Sequence, residues 1–373
     1  MIHTIDRVEV FVLSGADRNV GFASDMPAPL VSHTILRLTT TDGLVGVAGA
    51  DSYTEYEIDM AIAETLRSMA PIILGQSILN REKIWNDVYP KVFPRAPQAH
   101  SLIDVAIWDA LSRLAGMPLC KFLGGARENI RSYASTPLLK SPEAYVDIVA
   151  KLREEGYSAI KFHCWCEEAQ DLRMIEAVRK AHGGGEARFM LDVEQRYNLS
   201  SALRVGRVLS ELDYEWFEAP LNDCDLAGYK KLTAELRVPI VCAGNLLTDP
   251  RLIAFGLSHN CWDLVRIDAT TCGGITPALK VMNMASASGV RVELQSWGHA
   301  LVQAANLHLM LGQGNCTYFE QPIMNPEFLE IGVLAGIRTN RDGFVTYPDR
   351  PGLGIILDDN VLSKLALTRL DIA

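Results

Sequence analysis

Eight short apolar runs, recurring every 24–29 residues, constrain this chain more than any other feature. They fall near residues 131–135, 159–163, 189–192, 215–218, 239–243, 263–267, 290–294 and 316–319. Helical sequence separates them, at 142–155, 168–182, 200–212, 226–236, 249–257, 275–288 and 300–312. Such runs read as parallel strands buried on both faces, and eight strand–helix units close into a (β/α) barrel. The competing open doubly wound sheet usually carries an early G-x-G-x-x-G loop, and none follows a strand here.

Ahead of the barrel, residues 5–13 alternate like a half-buried strand, and 31–40 and 44–50 flank Thr41-Asp42-Gly43, a hairpin signal. Helical sequence follows at about 55–74, 80–92 and 98–115. The expected organisation is an α+β capping domain over 1–125, a catalytic barrel over 126–322, and a segment, 323–373, returning to complete the cap. Gly15 to Pro29 reads as a loop able to close over a site, together with Tyr53.

A net charge of −10 argues against nucleic acid or an anionic membrane as partner. No apolar stretch is long enough to span a bilayer, and no secretory leader is evident, so a cytoplasmic protein is expected. The eight cysteines are scattered, with Cys164 and Cys166 the one close pair. That spacing lacks the second pair a zinc site needs, which predicts reduced thiols.

Catalysis in such barrels sits at the C-terminal strand ends. Reading those positions gives Lys161-Phe162-His163, Asp192, Glu218, Asn245, Asp268, Gln295 and Glu320. Lys161 and His163 are two apart and so share a face. Asp192, Glu218 and Asn245 present three oxygen donors on successive strands, a set suited to a hard cation such as Mg2+. Any one of these could be a helix cap or an ion-pair partner. Five ionisable groups at five strand ends are harder to explain structurally, because unpaired buried charge is costly.

These residues resemble the enolase superfamily, specifically its mandelate racemase subgroup. The likeness spans nearly the whole chain: Leu102-Ile-Asp104-Val-Ala-Ile-Trp108-Asp109, Leu123-Gly-Gly125, Lys-x-His, Leu191-Asp192, Phe217-Glu218-Ala-Pro220, Gly244-Asn245, and Asp268 five residues before Gly273-Gly274. The resemblance implies a (β/α)7β modified TIM barrel under an α+β cap, one Mg2+, a small carboxylate substrate, and a homo-oligomer, dimer or octamer. It further implies abstraction of the proton α to the carboxylate. Asp192, Glu218 and Asn245 match the metal ligands, Lys161 the lysine that holds the substrate carboxylate, and His163 the base. Asp268 matches the aspartate that orients a histidine base on the opposite face, and Glu320 the acid that bonds the enediolate.

Two departures stand out. Gln295 occupies the place of the seventh-strand histidine, and His299 is its only near substitute. Racemisation, which needs a base on each face, is thereby disfavoured. Asn245 removes one negative charge, which should weaken Mg2+ binding and leave the ion more electrophilic. The resulting expectation is a Mg2+-dependent lyase that dehydrates a sugar acid, with His163 or Lys161 removing the α-proton and Gln295, Trp297, His299 and Tyr53 contacting substrate. Racemase, epimerase or lactone cycloisomerase activity, and a non-catalytic acid-binding paralogue, are the alternatives.

Overall fold

The structure, a computed structural model, describes residues 2–14, 32–51, 56–92, 96–183, 187–245, 249–324 and 329–373. The loop of residues 15–29 and Tyr53 lie outside the described residues. Strands β1 (Ile5–Ser14), β2 (Ser32–Thr40) and β3 (Val45–Asp51) form an antiparallel sheet. Its β2–β3 hairpin turns at Gly43, with φ 80° and open space where a side chain would stand. Helices α1 (Tyr56–Ile73), α2 (Arg81–Val92), α3 (Pro97–Leu114) and the short α4 (Leu119–Phe122) follow.

Helix α3 is the joint between the cap and the barrel. Residues 99–112 are buried throughout, so it is covered on all sides. Toward the cap, the Asp109 carboxylate accepts the Val47 N–H of β3 at 2.9 Å. Toward the barrel, Asp104 accepts the Thr276 N–H at 2.9 Å and its hydroxyl at 2.7 Å. Thr276 lies in the first turn of the barrel helix Ile275–Ala287, so Asp104 supplies that helix end with an acceptor it would otherwise lack.

Complete burial pushes the Asp104 carboxyl up to about 7, against the Thr276 hydrogen bonds that favour its ionised form. The folded protein therefore holds a proton here that the unfolded chain releases. This group's contribution to stability falls as pH rises from the ordinary aspartate range to about 7, by up to about 1.4 kcal/mol per pH unit. Asp104→Asn should flatten that decline; a slope of Tm against pH identical to wild type would contradict it.

The barrel strands are β4 (Asn129–Thr136), β5 (Ala159–His163), β6 (Arg188–Asp192), β7 (Trp216–Glu218), β8 (Ile240–Val241), β9 (Leu264–Ile267), β10 (Arg291–Leu294) and β11 (Tyr318–Pro322). All are parallel and neighbour one another in sequence order, with β11 pairing back onto β4. The β10–β11 seam nearly closes the barrel; there the Ser296 hydroxyl donates to the Glu320 carbonyl at 3.1 Å. Between the strands run α5 (Pro142–Glu154), α6 (Glu168–His182), α7 (Leu199–Glu211), α8 (Leu226–Glu235), α9 (Pro250–Ser258), α10 (Ile275–Ala287) and α11 (Ala300–Gln313). After β11 the chain divides its loyalties. β12 (Phe344–Thr346) pairs with β4, whereas β13 (Ala366–Ile372), reached through α12 (Asp359–Leu365), adds an edge strand to β1.

The barrel interior is layered by the two-residue period of a strand. Tyr133, Ala159, Met190, Trp216, Val241, Leu264 and Tyr318 make one buried apolar cluster. Two residues further along five of these strands stand Lys161, Asp192, Glu218, Arg266 and Glu320, all buried. A dry floor thus carries a charged layer, and charges so placed must be paired with one another.

Candidate active site

The charged layer opens into a cavity lined by Lys161, His163, Asp192, Glu194, Glu218, Ala219, Ala243, Asn245, Arg266, Gln295, Trp297 and Glu320. The Lys161 ammonium lies 2.8 Å from Glu218, 3.0 Å from Asp192 and 3.0 Å from Glu320. Arg266 bridges the same acids from β9, with Nε 3.0 Å from Glu218 and a terminal nitrogen 2.7 Å from Glu320. The Trp216 indole N–H donates to the other Glu218 oxygen at 2.9 Å.

Burial opposes every one of these charges, and the neighbours decide the outcome. Lys161 and Arg266 hold Glu320 down to about 2 despite burial. That suits an anchor for the two cations rather than a proton donor. Lys161 and His163 hold Asp192 well below the carboxylate range, also against burial. Glu218 goes the other way, up to about 7: burial, with Asp192 and Glu320 nearby, outweighs Arg266 and Lys161. The cluster is short of positive charge. Lys161 is raised well above its ordinary value, because Glu218 and Glu320 overcome its burial.

His163 is fixed on both sides. Its Nδ1 lies 2.6 Å from the Thr136 carbonyl, which can only accept, so Nδ1 carries hydrogen and Nε2 faces the cavity. Nε2 lies 3.1 Å from Glu194 and 3.4 Å from Asp192. Burial opposes the imidazolium, but these two carboxylates outweigh it and push His163 up to about 10. A cation placed on Asp192 would offset that attraction and free Nε2 for proton transfer.

The remaining residues singled out in the sequence are placed less uniformly. Gln295 and Trp297 line the cavity, and Asn245 does so from an exposed edge. Asp268 and His299 are not among the lining residues. Asp268 Oδ1 accepts from the Thr270 N–H at 2.7 Å, the Thr270 hydroxyl at 2.9 Å and Asn306 Nδ2 at 2.8 Å. That network ties the β9 loop to α11. His299 caps α11 through the Leu301 N–H and packs edge-on against His33 of β2, ring centroids 4.6 Å apart. Its ring therefore serves the cap–barrel contact.

Three residues of the site escape a reading of the sequence. Arg266 could have been found: an arginine inside Leu264-Val-Arg-Ile267, on the parity of the strand-end residues, must point inward. Glu194 left no such signal. Asp223 acts through backbone, accepting the N–H groups of Ala243, Gly244 and Asn245 at 2.9, 3.3 and 3.0 Å and so fixing the end of β8.

The donor set fits a divalent cation. Asp192 and Glu218 end adjacent, register-matched strands. Among the described residues, His163, Asp192 and Glu194 offer ligand atoms within 4.8 Å of one another. Carboxylate oxygens are the ligands hard cations prefer, and added positive charge is what the cluster lacks.

Residues 144–361 match the family Enolase C-terminal domain-like, and residues 19–124 match the mandelate racemase / muconate lactonizing enzyme N-terminal domain. The chain belongs to the mandelate racemase subgroup of the enolase superfamily. It is 30% identical to L-talarate/galactarate dehydratase of Salmonella typhimurium, an alignment covering 98% of this chain and 92% of that one. A mandelate racemase/muconate lactonizing enzyme homologue from Pseudovibrio sp. superposes with TM-score 0.95 at 36% identity, over 99% of both chains. D-glucarate dehydratase from Agrobacterium tumefaciens, complexed with magnesium, superposes with TM-score 0.85 at 28% identity, over 99% of this chain and 100% of that one. Relatives at 25–29% identity also include a cycloisomerase, a racemase and an epimerase. Members of this subgroup are enzymes, and this chain carries their modified barrel and cap.

Proposed function

We propose that this enzyme is a Mg2+-dependent hydro-lyase that removes the α-proton of a sugar acid and expels its β-hydroxyl as water. The observation that carries this reading is the asymmetry of the cavity. His163 Nε2 faces it from β5, whereas Gln295, an amide that cannot act as a base, follows β10. One base suffices for elimination; racemisation needs two.

Asp192 and Glu218 would hold the ion, which when bound supplies Lewis-acid polarisation of the substrate carboxylate and acidifies the α-carbon. His163 Nε2 takes the α-proton, and the C–H electron pair moves into the carboxylate. Lys161, kept charged by its three acidic neighbours, meets the developing negative charge as a fixed electrostatic partner. The pair then returns to form the C–C double bond as the β C–O bond breaks. The His163 imidazolium gives its proton to the departing oxygen, and the resulting enol tautomerises to an α-keto acid.

The 27% identity to D-galactarolactone cycloisomerase, over 90% of this chain, favours a second reading, since lactone opening uses the same proton abstraction. Purified protein with Mg2+ should convert at least one member of a broad sugar-acid panel to an α-keto acid. If no member is dehydrated the hydro-lyase reading fails, and α-proton exchange without water loss would select an isomerase.

A further inference from the structure

We infer that Glu194 is an anionic ligand of the divalent cation and supplies the charge that Asn245 does not. The inference rests on the cation site proposed above. Glu194 stands two residues past Asp192, in the loop after β6, and lines the cavity with its side chain 22% exposed. It and Gln195 both adopt left-handed backbone, φ 49° and 62°, a conformation that residues with side chains seldom take.

Three contacts hold that turn. The Glu194 N–H donates to Asp192 Oδ1 at 3.0 Å, and the Gln195 N–H to the Ala219 carbonyl at 2.8 Å. The Gln195 side-chain oxygen accepts the Asp223 N–H at 2.9 Å. The consequence is a second carboxylate swung beside Asp192, with Oε1 3.1 Å from His163 Nε2. Its ligand atom and those of Asp192 and His163 lie within 4.8 Å of one another. Octahedral Mg2+, with ligands at 2.0–2.1 Å, sets adjacent ligand atoms about 3 Å apart and opposite ones about 4 Å apart. Ligand atoms no more than 4.8 Å apart place both carboxylates within reach of one such ion.

Asn245 is less well equipped. It offers a neutral amide from an exposed position, and its backbone is pinned by the Asp223 carboxylate at 3.0 Å. With Asn245 as third ligand the ion would meet two carboxylates; with Glu194 it meets three. Affinity for hard cations follows the number of charged ligands.

The test measures ion binding rather than turnover. Mg2+ is titrated calorimetrically into the full-length protein and into Asp192→Asn, Glu194→Gln and Asn245→Ala, with Mn2+ binding followed by EPR and folding by circular dichroism. Glu194→Gln, isosteric and folded, should weaken binding about tenfold or more, and Asn245→Ala less than that. Wild-type affinity in Glu194→Gln, or a larger loss in Asn245→Ala, would overturn the assignment. If Asp192→Asn loses binding while Glu194→Gln keeps it, the assignment alone falls. If Asp192→Asn binds like wild type, the cation site itself falls, and the proposed function with it.

Discussion

Replacing His163 with Ala should lower kcat by on the order of a thousandfold while leaving the fold and Mg2+ binding in place. The expectation follows from how differently the two basic side chains of β5 are held. Lys161 is surrounded by three carboxylates at 2.8–3.0 Å, so its nitrogen has no lone pair to offer a substrate. His163 has Nδ1 committed to the Thr136 carbonyl and Nε2 toward the cavity. Loss of the ring also removes a competitor for Asp192 and Glu194, so ion binding should be kept or tightened. Parallel measurement of kcat and of Mg2+ affinity separates the two effects. Unchanged turnover in His163→Ala would remove His163 from the mechanism.

Arg266→Met should destabilise the protein by about 3–5 kcal/mol, because it leaves buried carboxylates without their partner. Arg266 is 2% exposed and touches both Glu218 and Glu320. Methionine fills much of the volume but returns no charge, and Lys161, which already shares Asp192 with His163, must then balance Glu218 and Glu320 by itself. The penalty should depend on pH with a definite sign. Glu218 already sits at about 7, and losing Arg266 raises it further. The folded variant escapes part of the cost by taking up a proton at a higher pH than wild type does, so the gap should widen as pH rises above 7 and level off below it, where Glu218 is protonated in both proteins. Urea denaturation of both proteins at several pH values measures this. A variant that unfolds at the wild-type midpoint throughout would show that the charged layer does not depend on Arg266.

The strand–helix alternation, His163, Asp192 and Glu218 were legible because each of these side chains ends a short apolar run, where a polar residue needs a reason, and Lys161 because it shares the face of His163 two residues earlier. Arg266 sits inside its run and shows its importance only once inward parity is followed along β9. Glu194 was hidden because its direction depends on two consecutive left-handed residues, a backbone choice that Glu and Gln do not advertise. Asp223 works through three backbone N–H groups and so leaves no trace in side-chain patterning. His299 was drawn into the site by its nearness to Gln295, yet four further residues carry the chain onto α11 and turn its ring to His33. The distinction between strand end and helix cap is a matter of a few residues, finer than apolar periodicity resolves.

The proposed reaction begins when this cavity takes a proton from the carbon next to a carboxylate. Proton NMR of sugar acids incubated in D2O with enzyme and Mg2+ reads that step directly. At least one acid should lose its α-proton signal, at a rate that collapses in His163→Ala, with an α-keto acid accumulating. Retention of the α-proton by every acid tested, with the protein folded and the ion bound, would contradict it.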